Sequence, residues 1–110
     1  YLISRQGEAR DIIARIGHPN IGLQFDIYHV QIMEGDVTTK FEEFLPVTRH
    51  VQIAGVPDRH EPDTGEVNYD YVFERLDALG YAGYVGCEYH PATTTEAGLG
   101  WFERYKSRRK

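Results

Sequence analysis

The sequence predicts an α/β fold of about three strand–helix units, and three observations support this prediction. Helix-forming patterns alternate along the chain with short apolar segments typical of strands. Each of the three predicted strands carries one residue with a side-chain oxygen near its end, namely Asp26, Gln52 and Glu88. The intervals between them are 26 and 36 residues, about one strand–helix unit each. Because such alternation gives parallel strands joined by crossover helices, we expect the last three units of a (β/α)8 barrel, with these residues at one edge.

The first half of the chain begins with a helix, which is predicted by apolar residues at helical spacing and should end at Gly17. These apolar residues are Ala9, Ile12, Ile13 and Ile16. A strand is expected over about 21–27, followed by a helical turn and loop over 30–38. Thr39 and Glu42 have the spacing of a capping box, which predicts a short helix that carries its phenylalanines inward.

The second half continues with a strand that begins near His50 and a loop over 56–68 that is rich in Pro, Gly and Asp. Loops of this length in compact domains are often functional. Asn68 is expected to cap the next helix, whose apolar face should be buried and which Gly80 should end. A third strand is expected over about 83–89. A second capping-box pattern, Thr93 and Glu96, then predicts the start of the last helix.

The composition excludes several classes of protein. A net charge of −5 argues against a nucleic-acid partner, which selects basic surfaces. No apolar run approaches the ~20 residues that a membrane span requires, so no membrane partner is expected. The single cysteine excludes an internal disulfide and favours a reducing compartment such as the cytoplasm. The chain does not begin with Met, and we interpret residues 1–110 as a single partial domain.

The polar strand residues are expected to share the face that points into the barrel, because side chains alternate along a strand. Asp26 shares its face with Gln24, Gln52 with His50, and Glu88 with Gly86; the opposite positions are mostly apolar. Carboxylates there cost free energy unless they are paired or bound to metal. Three oxygen ligands favour Mg²⁺ or Mn²⁺ over zinc. Considered singly, an Asp at a strand end such as Asp26 more often caps the next helix, and a buried Gln such as Gln52 usually bonds backbone.

Five segments in the same order closely resemble the hydroxypyruvate isomerase family, which belongs to the xylose isomerase-like TIM barrels. The segments are DIYH at 26–29, HVQIA at 50–54, RHEPDTGEVNYDY at 59–71, GCEY at 86–89 and TTTEAGL at 93–99. The resemblance implies that the chain is the C-terminal portion of such a barrel. It also implies a divalent metal held by Glu, Asp, Gln and Glu, of which the last three map onto Asp26, Gln52 and Glu88. The first Glu would precede Tyr1.

The resemblance further implies an isomerase of the aldose–ketose type in carbohydrate and glyoxylate metabolism. It would interconvert hydroxypyruvate and 2-hydroxy-3-oxopropanoate (tartronate semialdehyde) by metal-assisted proton transfer through an enediolate. Glu88 would be catalytic, and His29 and Arg59 would bind substrate. Glu66 could orient Arg59, seal the loop or have a simple surface role. His50 shares the inward face with Gln52 but sits deeper, so it is interpreted as a hydrogen-bonded core histidine.

Two alternatives remain open at the level of the sequence. One is a related isomerase or epimerase acting on a sugar or a 2-oxo sugar acid. The other is a barrel fragment without catalysis. In either enzymatic reading the partner is a small 2-oxo acid or sugar, and no organic cofactor is needed. Because the segment lacks one proposed catalytic Glu and would leave two sheet edges open, we expect no isomerase activity from it alone. We also expect it either to pair with other chains, as in a homo-oligomer, or to be part of a longer protein.

Overall fold

The protein forms a three-stranded parallel sheet flanked by five helices, as seen in a computed structural model that describes residues 5–108. The strands are β1 (Leu23–Asp26), β2 (Thr48–Ile53) and β3 (Val85–Cys87), and β2 lies in the middle. The helices are α1 (Gln6–Ile16), α2 (Ile27–Met33), α3 (Val37–Phe44), α4 (Tyr69–Ala78) and α5 (Gly100–Arg108), with a 3-10 turn at Leu45–Val47. The predicted α/β class with parallel strands is therefore confirmed.

Three helix boundaries match the residues that were expected to set them. Gly17, with φ 67°, ends α1 in the left-handed conformation, where glycine carries no Cβ penalty. Asn68 caps α4 by accepting a hydrogen bond from the Tyr71 N–H at 3.2 Å. Gly80 follows α4 with φ 77°.

Other boundaries were predicted wrongly, and side-chain hydrogen bonds explain most of the differences. Residues 27–33 are helical, because Asp26 caps α2 at the point where the strand was expected to continue. The first capping-box prediction fails because α3 already begins at Val37, so Thr39 lies inside it. The second fails because Thr94 Oγ1 accepts from the Ala97 N–H within a turn, and α5 begins only at Gly100.

The core lies on one side of the sheet and consists of the apolar residues expected to face the helices. Phe25, Ile27, Val51 and Ile53 are almost fully buried. Phe25 packs edge-to-face on Phe41 of α3, with ring centroids 5.4 Å apart. Alternation along β1 and β2 therefore separates an apolar face from a polar one, as predicted.

The apolar face is not covered everywhere. Val85 and Cys87, expected to pack against helices, are exposed. Within the described sheet β3 is an edge strand, and α5 packs instead on Phe73 of α4, whose ring lies 4.4 Å from that of Tyr105. A groove of about 630 Å³ remains between β3 and α5. Partial desolvation at this apolar wall raises the pKa of the Cys87 thiol. None of the helices within residues 5–108 is long and apolar enough to cross a membrane.

Tyr69 anchors α4 to the end of β2. Its hydroxyl is buried, donates to the Ala54 carbonyl at 2.8 Å and lies 3.3 Å from the Ala54 N–H. Burial raises the pKa of Tyr69 well above the ordinary value. The folded protein therefore holds this proton at pH values where an unfolded chain, with a tyrosine pKa near ~10, releases it.

Tyr69→Phe is expected to lower the free energy of unfolding by about 1–3 kcal/mol at pH 7, because it leaves the buried Ala54 groups without a partner. The contribution of the hydroxyl is fully present below pH ~10 and is lost as the pH rises further, so the difference from the parent should shrink there. Urea unfolding at pH 7 and pH 11 measures both effects. Tyr71→Phe, on an exposed side chain, is the control; an equal loss in both variants contradicts the anchoring role.

Candidate functional site

The three predicted ligand residues lie at one edge of the sheet. Asp26 ends β1 and is the direct register partner of Gln52 on β2. Glu88 follows β3 immediately, and its N–H donates to the Ile53 carbonyl at 3.2 Å, which continues the pairing of β2 and β3. Since these strands are parallel, all three residues lie at the same carboxyl edge of the sheet.

The polar face of the sheet contains the residues that alternation assigned to it. Gln24 Nε2 donates to Gln52 Oε1 at 2.8 Å. Gly86 is the register partner of Gln52, and a Cβ at this position would lie 2.8 Å from His50 Nε2. A side chain at position 86 would therefore collide with His50, so glycine keeps this part of the face open. His50 is half-buried, and within residues 5–108 its ring forms no hydrogen bond.

Asp26 also caps a helix, which was the alternative role considered for it. Its Oδ1 accepts a hydrogen bond from the His29 N–H at 3.1 Å and caps α2. Its Oδ2 lies 3.8 Å from His29 Nε2. The capping bond fixes the carboxylate at the strand end and brings the His29 imidazole to the same place. Capping and a role in a site are thus compatible for this residue.

Arg59 is held against Glu88. Its Nη2 lies 3.5 Å from Glu88 Oε1, its Nε donates to the Glu88 carbonyl at 3.3 Å, and its guanidinium lies over the Tyr28 ring at 5.1 Å. The sequence indicated a role in substrate binding for Arg59 but did not indicate these partners. Glu66, for which orienting Arg59 and a simple surface role were both open, is exposed, and its side chain forms no hydrogen bond or ion pair within the described residues. The orientation comes from Glu88 and Tyr28.

The loop that carries Arg59 is closed by its own backbone. Gly55 N–H donates to the His60 carbonyl at 2.8 Å, and Arg59 N–H donates to the Gly55 carbonyl at 2.9 Å. The Glu66 N–H donates to the Val56 carbonyl at 2.7 Å. Gly65 has φ 107°, and a Cβ there would collide with the Val56 carbonyl. This long segment is therefore a packed unit, as befits a loop that positions a charged side chain.

Two residues of this region were not singled out from the sequence. His60 Nδ1 lies 2.7 Å from the His90 carbonyl. Glu61 is buried, and both its carboxylate oxygens lie near the Ala92 N–H, at 3.2 and 3.3 Å. The only signal for Glu61 is its position in the resembling segment 59–71. A carboxylate in a loop rich in Pro, Gly and Asp is ordinarily solvated.

The donor set at the strand ends fits a hard divalent cation by its chemistry. It offers two carboxylates and an amide oxygen, the ligands that Mg²⁺ and Mn²⁺ prefer. The amide oxygen of Gln52 accepts one hydrogen bond from Gln24 and retains a second lone pair. Among residues 5–108 there is no cluster of three or more His, Cys, Asp or Glu side chains at metal-binding spacing. The metal site therefore stays a prediction that depends on Gln52 as well as on the carboxylates.

Comparison with known proteins gives consistent results. Residues 1–105 match the family described as xylose isomerase-like TIM barrel. The chain is 51% identical over 108 residues to 2-oxo-tetronate isomerase of Cupriavidus necator, covering 98% of the chain and 42% of that protein. It is 48% identical over 99 residues to hydroxypyruvate isomerase of Escherichia coli K12, covering 90% of the chain and 38% of that protein.

Among solved structures, the fold matches a family 2 AP endonuclease from Brucella melitensis with a TM-score of 0.92 and 52% identity. The match covers 96% of this chain and 41% of that one. The chain thus spans about two fifths of the length of the relatives it matches.

Proposed function

The chain belongs to the xylose isomerase-like TIM barrel family, and from that premise we propose that the complete protein is an isomerase that interconverts hydroxypyruvate and 2-hydroxy-3-oxopropanoate. The observation that carries the proposal is that Asp26, Gln52 and the Glu88–Arg59 pair all lie at the carboxyl edge of three parallel strands. Enzymes built on such barrels assemble their active sites at this edge. Similarity to the isomerases of C. necator and E. coli supports the reaction class.

The reaction needs proton movement only. One proton leaves C3 and one is added to C2, while a hydroxyl proton passes from O3 to O2, through an enediolate. Glu88 is the base in this proposal, because a carboxylate at the strand end can take a proton from carbon and return it. Its side chain is well exposed, which leaves it accessible to a small substrate.

The substrate carboxylate is assigned to Arg59, whose guanidinium can donate two parallel hydrogen bonds. The position of this guanidinium over the Tyr28 ring is favoured by a cation–π interaction. His29, beside Asp26, would donate to or accept from a substrate hydroxyl. Asp26, Gln52 and Glu88 would hold Mg²⁺ or Mn²⁺, which when bound supplies positive charge that acidifies the C–H bond next to a carbonyl.

A second candidate substrate is a four-carbon 2-oxo sugar acid. It is favoured by the 51% identity to 2-oxo-tetronate isomerase of C. necator. The chemistry of proton transfer and of carboxylate binding is the same for both acids. The difference lies in the space for one further CHOH group.

A substrate comparison tests the proposal. The complete protein, supplied with Mg²⁺ or Mn²⁺, is expected to isomerise hydroxypyruvate or 2-oxo-tetronate with a kcat/KM in the enzymatic range of at least ~10⁴ M⁻¹s⁻¹ for one of them. Activity should disappear on chelation by EDTA and return with added metal, because the metal acidifies the C–H bond. Product formation is followed by NMR. Equal activity before and after chelation contradicts the metal assignment, and turnover of neither acid contradicts the function.

We also propose the setting in which this activity occurs. Residues 1–110 would form a single partial domain without activity by itself, because the family resemblance implies a fourth ligand, a Glu, in addition to Asp26, Gln52 and Glu88. The partner is a small molecule rather than nucleic acid or membrane, the protein works in the cytoplasm, and association into a homo-oligomer fits its open sheet edges.

A further inference from the structure

Glu61 is a buried carboxylate that has no cationic partner among the residues the structure describes. Its side chain lies in the loop after β2 and the residue is 6% exposed. Within residues 5–108 no Lys, Arg or His lies within ion-pair distance of it, and the Ala92 N–H is the one hydrogen-bond donor to its carboxylate. Burying a carboxylate costs free energy unless it is both hydrogen-bonded and paired with a cation, and Glu61 has only the hydrogen bond. The position of Glu61 therefore requires a reason beyond solvation.

The backbone of Glu61 is fixed independently of its side chain. The Glu61 carbonyl accepts from the Thr64 N–H at 3.1 Å and from Thr64 Oγ1 at 2.8 Å. A Cβ on Gly55 would lie 2.5 Å from that same carbonyl oxygen, so this turn packs closely on the end of β2. From this fixed base the carboxylate reaches across to the segment after β3.

Three hydrogen bonds join the segment after β3 to the loop that carries Arg59. They involve alternate residues of the segment, namely Glu88, His90 and Ala92. At the first, the Arg59 Nε donates to the Glu88 carbonyl. At the second, the His90 N–H donates to the Arg59 carbonyl at 2.8 Å. At Ala92, the N–H has no backbone carbonyl acceptor among residues 5–108 and donates to the Glu61 carboxylate instead. The Glu61 carboxylate therefore accepts the last of the hydrogen bonds that continue beyond the paired strands β2 and β3.

Arg59 needs such support. It is a non-glycine residue with φ 62°, a conformation that persists only where the surroundings hold it. We propose that Glu61 is a positioning residue: its hydrogen bond to Ala92 clasps the two segments, so that the Arg59 guanidinium stays beside Glu88 and over Tyr28. The link from this clasp to substrate binding rests on the proposed function, in which Arg59 binds the substrate carboxylate.

Two substitutions at different residues are expected to break the hydrogen bond between Glu61 and Ala92. Glu61→Ala removes the acceptor. Gly98→Ala leaves Glu61 unchanged but places a Cβ 2.5 Å from Glu61 Oε2, and the φ of Gly98 lies outside the left-handed range, so displacement of the carboxylate is the expected response. Gly100→Ala is the matched control, since its Cβ would meet nothing within 4 Å.

In the complete protein, Glu61→Ala and Gly98→Ala are each expected to raise the KM for the 2-oxo acid about tenfold, with kcat changed less than about threefold. Gly100→Ala should leave both unchanged. Glu61→Gln should recover part of the loss, because its amide oxygen still accepts from Ala92. In an Arg59→Ala background, Glu61→Ala should add less than about twofold to KM, because the two act as one unit. The proposal is overturned if Glu61→Ala raises KM a full tenfold in the Arg59→Ala background, or if KM is unchanged in both Glu61→Ala and Gly98→Ala.

Backbone amide exchange separates failure of the clasp from failure of the proposed function. In Glu61→Ala and Gly98→Ala, the Ala92 and Arg59 amides are expected to exchange at least about tenfold faster than in the parent, and in Gly100→Ala they should not. If the parent protein turns over neither 2-oxo acid, the proposed function fails, and exchange alone decides whether Glu61 positions Arg59. Unchanged exchange at both amides overturns the clasp whatever the activity.

Discussion

Replacing Glu88 by Gln is expected to lower kcat for the 2-oxo acid by at least about 100-fold, because the amide keeps the shape of the side chain but cannot take a proton from carbon. The substitution also removes the charge partner of Arg59, 3.5 Å away. KM should rise less than in Arg59→Ala, which removes the group assigned to the substrate carboxylate. Steady-state kinetics of the complete protein measure both parameters.

Glu96→Gln is the matched control for this substitution. Glu96 lies in the segment between β3 and α5, it is exposed, and its side chain forms no hydrogen bond or ion pair within the described residues. Its kcat and KM should equal those of the parent. A Glu88→Gln variant with near-normal kcat would show that Glu88 is not the base. A large change in KM with little change in kcat would assign Glu88 to substrate binding instead.

The strand ends could be predicted from the sequence because two simple rules apply to them. Alternation along a strand assigns Gln24 and Gln52 to one face, and the Gln24–Gln52 hydrogen bond confirms that assignment. Parallel pairing then places successive strand ends together, as the register of Asp26 with Gln52 shows. Both rules depend only on local geometry and on the order of elements.

The contacts of the loop could not be predicted in the same way. Arg59 meets Glu88 across 29 residues of sequence, and Glu61 meets Ala92 across 31, so no local periodicity brings either pair together. The start of α2 was also missed, although its cause is local. Asp26 was weighed both as a ligand and as a cap, and the structure shows that the capping bond ends the strand earlier than the apolar pattern suggested.

The exposure of β3 could not be predicted from the sequence, for a different reason. Val85 and Cys87 have the apolar, alternating character of buried strand positions, yet both are exposed in the described part of the chain. Alternation determines which face a residue occupies, but not whether another element covers that face. Phe25 has the same apolar character, but α3 covers it through Phe41, and it is 0% exposed.

Phe25→Ala is expected to lower the free energy of unfolding by about 3–5 kcal/mol, the usual range when a fully buried aromatic ring is removed. The loss combines the transfer of the ring to water with the cavity left against Phe41, whose ring centroid lies 5.4 Å away. Urea unfolding of the complete protein measures this loss.

Phe102→Ala, on a ring that is 44% exposed and faces the groove, is the matched control. It should cost about 1 kcal/mol or less, since it leaves little cavity. Equal losses in the two variants would mean that the ring of Phe25 is not packed in the core as described, and that the sheet which holds Asp26 and Gln52 is supported in another way.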